Sequence, residues 1–264
     1  MTQSSKKIIN AWCLYDWANS VYLLVITSTI FPVYYNGVTR AAFNSETIEF
    51  FGYEIVNTVL YSYSISFSFL VVAVLSPLLS GIADYSGKKK MFLKVFTTLG
   101  AFSSAMLYLF NGHNVEFGII FSILASIGYT GSLVFYNAYL PEIANEENYD
   151  SISARGYSFG YVGSVLMLIG SLVLIEKFEL FGFESELQAV KISFLLVGIW
   201  WFVFAQISFI YLPKGSDKSF NVFLDCVRNV FAIFDALQDP SRLNSLSYEE
   251  MSEGFRLFFH FRMK

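Results

Sequence analysis

Runs without Asp, Glu, Lys or Arg alternate with short charged segments along this chain. Trp17 to Thr39, Ile55 to Ala83, Val95 to Val115, Phe117 to Pro141, Gly156 to Ile175 and Ile192 to Pro213 carry no formal charge. Each is on the order of 20 to 29 residues, enough at about 1.5 Å per residue to cross about 30 Å of hydrocarbon. Six membrane-spanning helices are therefore predicted, because a single helix satisfies its own backbone in lipid. Glu116 and the turn Asn111-Gly112-His113-Asn114 separate the third span from the fourth. Between Tyr61 and Phe69, Ser62, Ser64, Ser66 and Ser68 alternate with apolar residues, which is a strand period. A barrel needs many such strands and this chain offers one, so helix is expected there too.

After Pro213 the pattern changes. Phe220, Phe223, Val227, Phe231, Phe234 and Leu237 recur at helical spacing. Asp239-Pro240 interrupts them, and Ser247 with Glu250 forms a capping box for a second short helix. This predicts a cytoplasmic amphipathic tail over residues 214–264, following a six-helix bundle over residues 1–213. The tail lies on the inner membrane face or docks a partner.

Composition fits that division. The 264 residues are 55% hydrophobic and 14% charged, with a mean hydropathy of +0.52, whereas soluble domains carry about 25% charge. An ordinary soluble enzyme and a disordered chain are both excluded, and too few basic residues exist for a nucleic-acid surface. The lysines and arginines set an orientation. With the N-terminus inside, fourteen fall on inner segments, among them Lys88, Lys89, Lys90 and Arg155; three, Arg40, Lys177 and Lys191, fall outside. Both termini are expected in the cytoplasm, with a bacterial plasma membrane the favoured location. Met1 to Asn10 is polar, so the first run reads as a retained span rather than a cleaved signal.

No catalytic motif is present, and no cofactor or metal is implied. Cys13 and Cys226 are far apart and fit no metal spacing, and His113 and His260 read as solvated polar residues. Four segments carry other chemistry. In the first, Asp16 stands between Tyr15 and Trp17 at the inner edge of span one, with Asn19 and Ser20 a turn further on. It reads either as an acid at a helix start flanked by interfacial aromatics, or as a buried acid for coupling or for holding a substrate amine. In the second, Gly81, Asp84, Gly87 and Lys88 to Lys90 mark a tight inner turn, where Asp84 could pair with Arg155 as a conformational latch. In the third, Gly156, Gly160 and Ser164 share one helical face, a seam for close packing, as do Gly128, Gly131 and Ser132 in span four. In the fourth, Tyr136 and Asn137 precede Pro141, and Asn137 sits deep enough to need a partner.

Together these segments resemble a known family. Gly81, Asp84, Gly87, Lys88, Lys89 and Lys90 match the loop between spans two and three of the major facilitator superfamily; Tyr85 departs where a basic residue is usual. Leu14 to Ser20 looks like the signature of its vacuolar-effluxer-like branch, which includes fungal autophagy-related vacuolar amino-acid effluxers and bacterial relatives. Asn137 to Ile143 and Ser153 to Gly163 also resemble that branch.

The resemblance covers about residues 10 to 213, one half of such a transporter. It implies an all-α integral membrane protein: one six-helix half of a major facilitator fold, moving small solutes, amino acids among them, by alternating access. Tyr15, Asp16, Trp17, Asn19, Tyr136 and Asn137 become the substrate or coupling candidates. Gly81, Asp84, Gly87, Lys88 and Arg155 become the gate. The expected partners are the lipid bilayer, a small-molecule substrate and a second six-helix unit, either another copy or a separate C-terminal half. The alternative is a truncated, non-transporting membrane protein or scaffold.

Overall fold

The computed structural model describes residues 3–214. The expected tail helices, Cys226 and His260 lie outside the described residues. Two compact bodies are present. One comprises Met1–Val72 and Leu93–Pro213; the other contains Ala73–Phe92. Six helices among the described residues are long and apolar enough to cross a membrane: Lys6–Phe43, Asn57–Ser76, Lys89–Leu109, Val115–Ile143, Glu146–Glu176 and Glu186–Tyr211. The fold class is all-α, consistent with half of a major facilitator fold.

The first span is one uninterrupted rod of three parts. Helix α1 (Gln3–Val21) runs into a π-helical segment (Tyr22–Ile30), which runs into α2 (Phe31–Phe43). The wide turn has a local cause. Pro32 lies in the first turn of α2 and lacks the N–H that would continue the α ladder. Phe31 N–H instead bonds back to the Ile26 carbonyl, and Thr29 Oγ1 donates to the Leu24 carbonyl at 2.7 Å. The helix stops at Asn44, a left-handed residue with φ of 50°.

A feature absent from the sequence expectations follows. Strands β1 (Thr47–Phe50) and β2 (Tyr53–Val56) form a hairpin with Ile48 opposite Ile55. Phe51 and Gly52 both take positive φ, 48° and 84°, as a two-residue hairpin turn requires. Asn57 closes the hairpin onto α2. Its N–H donates to Glu46 O at 2.8 Å, and its amide donates to Asn36 Oδ1 at 3.1 Å and to Thr39 Oγ1.

Helix α3 (Asn57–Ser86) contains the alternating serines. Ser62, Ser66 and Ser68 each donate to the carbonyl four residues back, at 2.8 to 2.9 Å. Helical back-bonding thus satisfies hydroxyls whose spacing mimics a strand. Helix α4 (Lys89–Met106) and α5 (Val115–Asn137) meet at small residues: Gly128 lies against the backbone of Gly100, and Gly131 against the Phe96 ring. After the short α6 (Leu140–Ile143), which Pro141 helps to open, come α7 (Tyr149–Glu176) and α8 (Glu186–Tyr211). Ser185 caps α8, its hydroxyl accepting from Gln188 N–H at 3.2 Å. Gly198 of α8 packs on Ala101 and Ala105. Away from α1, the core is aromatic: Phe31 meets Phe194 edge-on at 5.6 Å, and Tyr35 stacks on Phe110 at 5.7 Å.

Candidate functional site

Asp16 is not at a helix start. Helix α1 begins at Gln3, so the carboxylate stands about four turns inside it. The reading of Asp16 as an acid at a positive helix end is therefore corrected: it lies too far from the N-terminal amides of α1 for them to hold it. Its partner comes from α5. Tyr136 Oη donates to Asp16 Oδ2 at 2.7 Å. Tyr136 is itself fixed between two rings of α1. Trp12 stacks on it at 4.3 Å and 11°, and Tyr15 at 5.0 Å and 28°. The indole N–H of Trp12 also donates to the Tyr136 carbonyl at 3.0 Å. Tyr15 is anchored in turn, sharing a 2.6 Å hydrogen bond with Thr97 Oγ1.

Helix α7 closes the other side. A Cβ on Gly156 would lie 2.7 Å from Asp16 Oδ2 and 3.1 Å from both Trp12 and the Tyr136 hydroxyl. One on Gly160 would press on Ser20, and one on Gly163 on Trp17. The glycine seam seen in the sequence is thus the face that packs on α1 at Asp16. Hydrogen there lets two helix backbones approach closely and leaves room for the carboxylate.

Asp16 remains half-buried. Among the described residues it forms no ion pair, and its second oxygen accepts no hydrogen bond. One turn further on, Asn19 is 1% exposed and its amide nitrogen has no partner among the described residues. The indole N–H of Trp17 is also buried, with no acceptor among the described residues. Trp17 points elsewhere, stacking on Trp200 at 5.5 Å, while Trp200 donates to the Trp17 carbonyl at 3.2 Å. The polar line continues along the first span: Tyr22 shares a 2.8 Å hydrogen bond with Ser126. An anionic oxygen and a buried amide donor without partners, on one helix face inside the membrane, form a site able to take an ammonium, a proton or a dipolar solute.

The other candidates are distributed differently. Asn137 is exposed at the end of α5, not buried as its spacing suggested, because the helix stops there and its side chain leaves the packed face. Arg155 is exposed, its guanidinium 5.7 Å from the Phe159 ring. In the second body, Gly81 lies within α3, Gly87 takes a left-handed φ of 66° that makes the turn, and Lys88 follows it. The Asp84 side chain lies outside what is described, so the Asp84–Arg155 latch stays a proposal. Sequence reasoning missed Trp12. Its position four residues before Asp16, on the same helix face, is the signal that points to it.

A family model described as vacuole effluxer Atg22-like matches residues 4–243. The uncharacterized MFS-type transporter YxiO of Bacillus subtilis is 33% identical over 196 residues, 74% of this chain and 44% of that protein. An uncharacterized protein of Aquifex aeolicus is 28% identical over 72% of this chain and 43% of its own length. Autophagy-related protein 22 of Pichia angusta is 24% identical over 78% of this chain and 48% of its own length. The chain thus spans less than half the length of these relatives. No solved structure matches it significantly.

Proposed function

The chain belongs to the vacuole effluxer Atg22-like family, and from that membership we propose that it forms the N-terminal six-helix half of a secondary transporter. The half works by alternating access around a site near Asp16 and needs a second six-helix unit, another copy or a separate C-terminal half, to enclose its solute. The substrate is a small dipolar solute of the amino-acid class. Asp16 binds its ammonium or a coupling proton, and the buried amide of Asn19 donates to its carboxylate. Gly81, Asp84, Gly87, Lys88 and Arg155 form the inner gate, with both termini cytoplasmic.

The observation that supports this most is the Asp16 carboxylate, held within the first span by Tyr136 at 2.7 Å and free of any ion pair among the described residues. An ionisable group at membrane depth without a structural counter-ion is costly to keep and commonly belongs to a transport path. The match to less than half the length of the relatives supports assigning these spans to one half of their fold.

The test is reconstitution of the purified chain into liposomes, alone and with a candidate second half. Uptake of labelled amino acids is measured alongside the mass of the assembly in detergent. Flux that appears only with a dimer or a two-part assembly is expected. Monomers that transport, or assemblies that move no small solute, would overturn the reading; the latter result would favour a scaffold.

A further inference from the structure

Away from Asp16 the first span borders a concavity of about 610 Å³. It lies at the end of the span remote from the N-terminus. Val33, Gly37 and Ala41, four residues apart on α2, line one wall. Leu172 at the end of α7 and Leu187 and Val190 at the start of α8 line the other. A Cβ on Gly37 would meet nothing within 4 Å, so no neighbouring side chain fills the trough at that point. The walls are also open: Val33 is 75% exposed, Leu187 55% and Leu172 48%. An apolar trough of this kind on a transmembrane helix opens into hydrocarbon, and acyl chains are the apolar matter available there.

The rim is polar and comes from three residues. Asn111 and His113 belong to the turn between α4 and α5, and Glu186 to the first turn of α8. Gly112, at φ 91°, presses this turn onto α2; a Cβ there would collide with the Val38 carbonyl. The side-chain oxygen Oδ1 of Asn111 accepts from the backbone N–H of His113 at 3.1 Å and of Asn114 at 3.3 Å. The side-chain nitrogen Nδ2 of Asn111 is left without a partner among the described residues, while its backbone N–H donates to Asn114 Oδ1 at 2.9 Å. The His113 ring touches Phe43, centroids 6.2 Å apart, and makes no side-chain hydrogen bond among the described residues. Glu186 forms no ion pair there either. Two side-chain donors and one carboxylate therefore stand at the mouth of an apolar trough.

That arrangement complements one molecule: a phosphodiester beside an ammonium, attached to an acyl chain. We infer that the groove holds a single phospholipid with a primary-amine headgroup, drawn from the leaflet opposite the N-terminus. One acyl chain lies along Val33, Gly37 and Ala41. Asn111 and His113 donate to the phosphate, and Glu186 accepts from the ammonium. Glu186 sets the headgroup preference. A primary ammonium has three N–H donors for a carboxylate; a quaternary choline has none, and an anionic headgroup is repelled.

The full chain, purified in mild detergent from membranes containing phosphatidylethanolamine, phosphatidylcholine and phosphatidylglycerol, tests this by native mass spectrometry. One retained phosphatidylethanolamine per chain is expected, enriched about tenfold over its bulk share. Gly37→Leu fills the trough and should lose most of the retained lipid while keeping its melting temperature. Leu187→Gln, at an exposed position, should lower retention similarly and covers the case in which Gly37→Leu misfolds. Glu186→Gln should keep a bound lipid but let its headgroup fall to the bulk ratio. Lipid retained in bulk proportions by the unaltered chain, retention by both groove variants at the level of the unaltered chain, or a second protein copy in place of lipid would overturn the assignment.

Discussion

The phenol of Tyr136 donates to the carboxylate of Asp16 across 2.7 Å, and this bond joins the fourth span to the first. Both side chains face Gly156, so three helices meet at one hydrogen bond. A hydrogen bond to a charged acceptor contributes about 1.5 to 3 kcal/mol in water-soluble proteins. Bonds between membrane helices average nearer about 0.6 kcal/mol, because the separated helices find other partners. A double-mutant cycle with Tyr136→Phe and Asp16→Ala, read by thermal or denaturant unfolding in detergent, is expected to give a coupling of about 1 kcal/mol. Coupling indistinguishable from zero would mean that the pair is incidental.

Two glycines of α7 give opposite predictions. Gly156→Ala places a methyl 2.7 Å from Asp16 Oδ2 and should destabilise by about 1 to 3 kcal/mol through overpacking. At Gly170 an added Cβ meets nothing within 4 Å, so Gly170→Ala should be neutral or gain up to about 1 kcal/mol of helix propensity. Melting temperatures of the two variants, side by side, decide it. Equal effects would contradict the packing seam.

At the hairpin the buried polar contact should outweigh the surface ion pair. Asn57 is 1% exposed and bonds both Asn36 and Thr39. Its replacement by Ala leaves buried groups unpaired and is expected to cost about 1 to 3 kcal/mol. Arg40 pairs with Glu46, but the two side chains are 51% and 71% exposed. Arg40→Ala should cost under about 1 kcal/mol, and less in high salt. Unfolding of both variants at two salt concentrations measures the order, and a reversed order would refute it.

In an assembled transporter, Asp16→Asn keeps the size of the side chain and a hydrogen-bond acceptor for Tyr136 while removing the charge. The variant is expected to insert and fold normally, and to lose accumulation of solute against a gradient by at least about tenfold. Asp84→Ala is expected to shift the inward–outward balance, read by accessibility of cysteine probes on the inner face, with little change in solute affinity. Accumulation by Asp16→Asn at the normal level would remove this carboxylate from the transport path.

Much of the bundle is visible in the sequence because lipid imposes a simple rule. Charge is excluded for about 20 residues at a time, and the excluded runs are countable. The Gly156 and Gly160 seam is visible for a related reason, since close helix approach demands small residues at fixed spacing. What faces the seam is not visible: that Asp16, Trp12 and Tyr136 meet there depends on the mutual rotation of three helices. The hairpin was missed because its turn is Phe51-Gly52 instead of the usual Asn-Gly or Asp-Gly. The π-helical segment was missed because Pro32, its cause, follows it and reads simply as part of a span. Asn137 misled because a polar residue near a span end can be buried or exposed according to where the helix stops.

The first span is also a mechanical element. A rod running from Gln3 to Phe43 measures about 60 Å, twice the hydrocarbon thickness, so an end of it extends outside the bilayer. The π-helical turns at Tyr22–Ile30 break the α ladder near its middle, and such turns are where a long helix bends most readily. The arm beyond, α2, is 13 residues or about 20 Å long. A bend of about ten degrees at these turns sweeps its tip by roughly 3 Å. That is the width of a water molecule, moved at the hairpin by a small rotation close to Tyr22 and within three turns of Asp16.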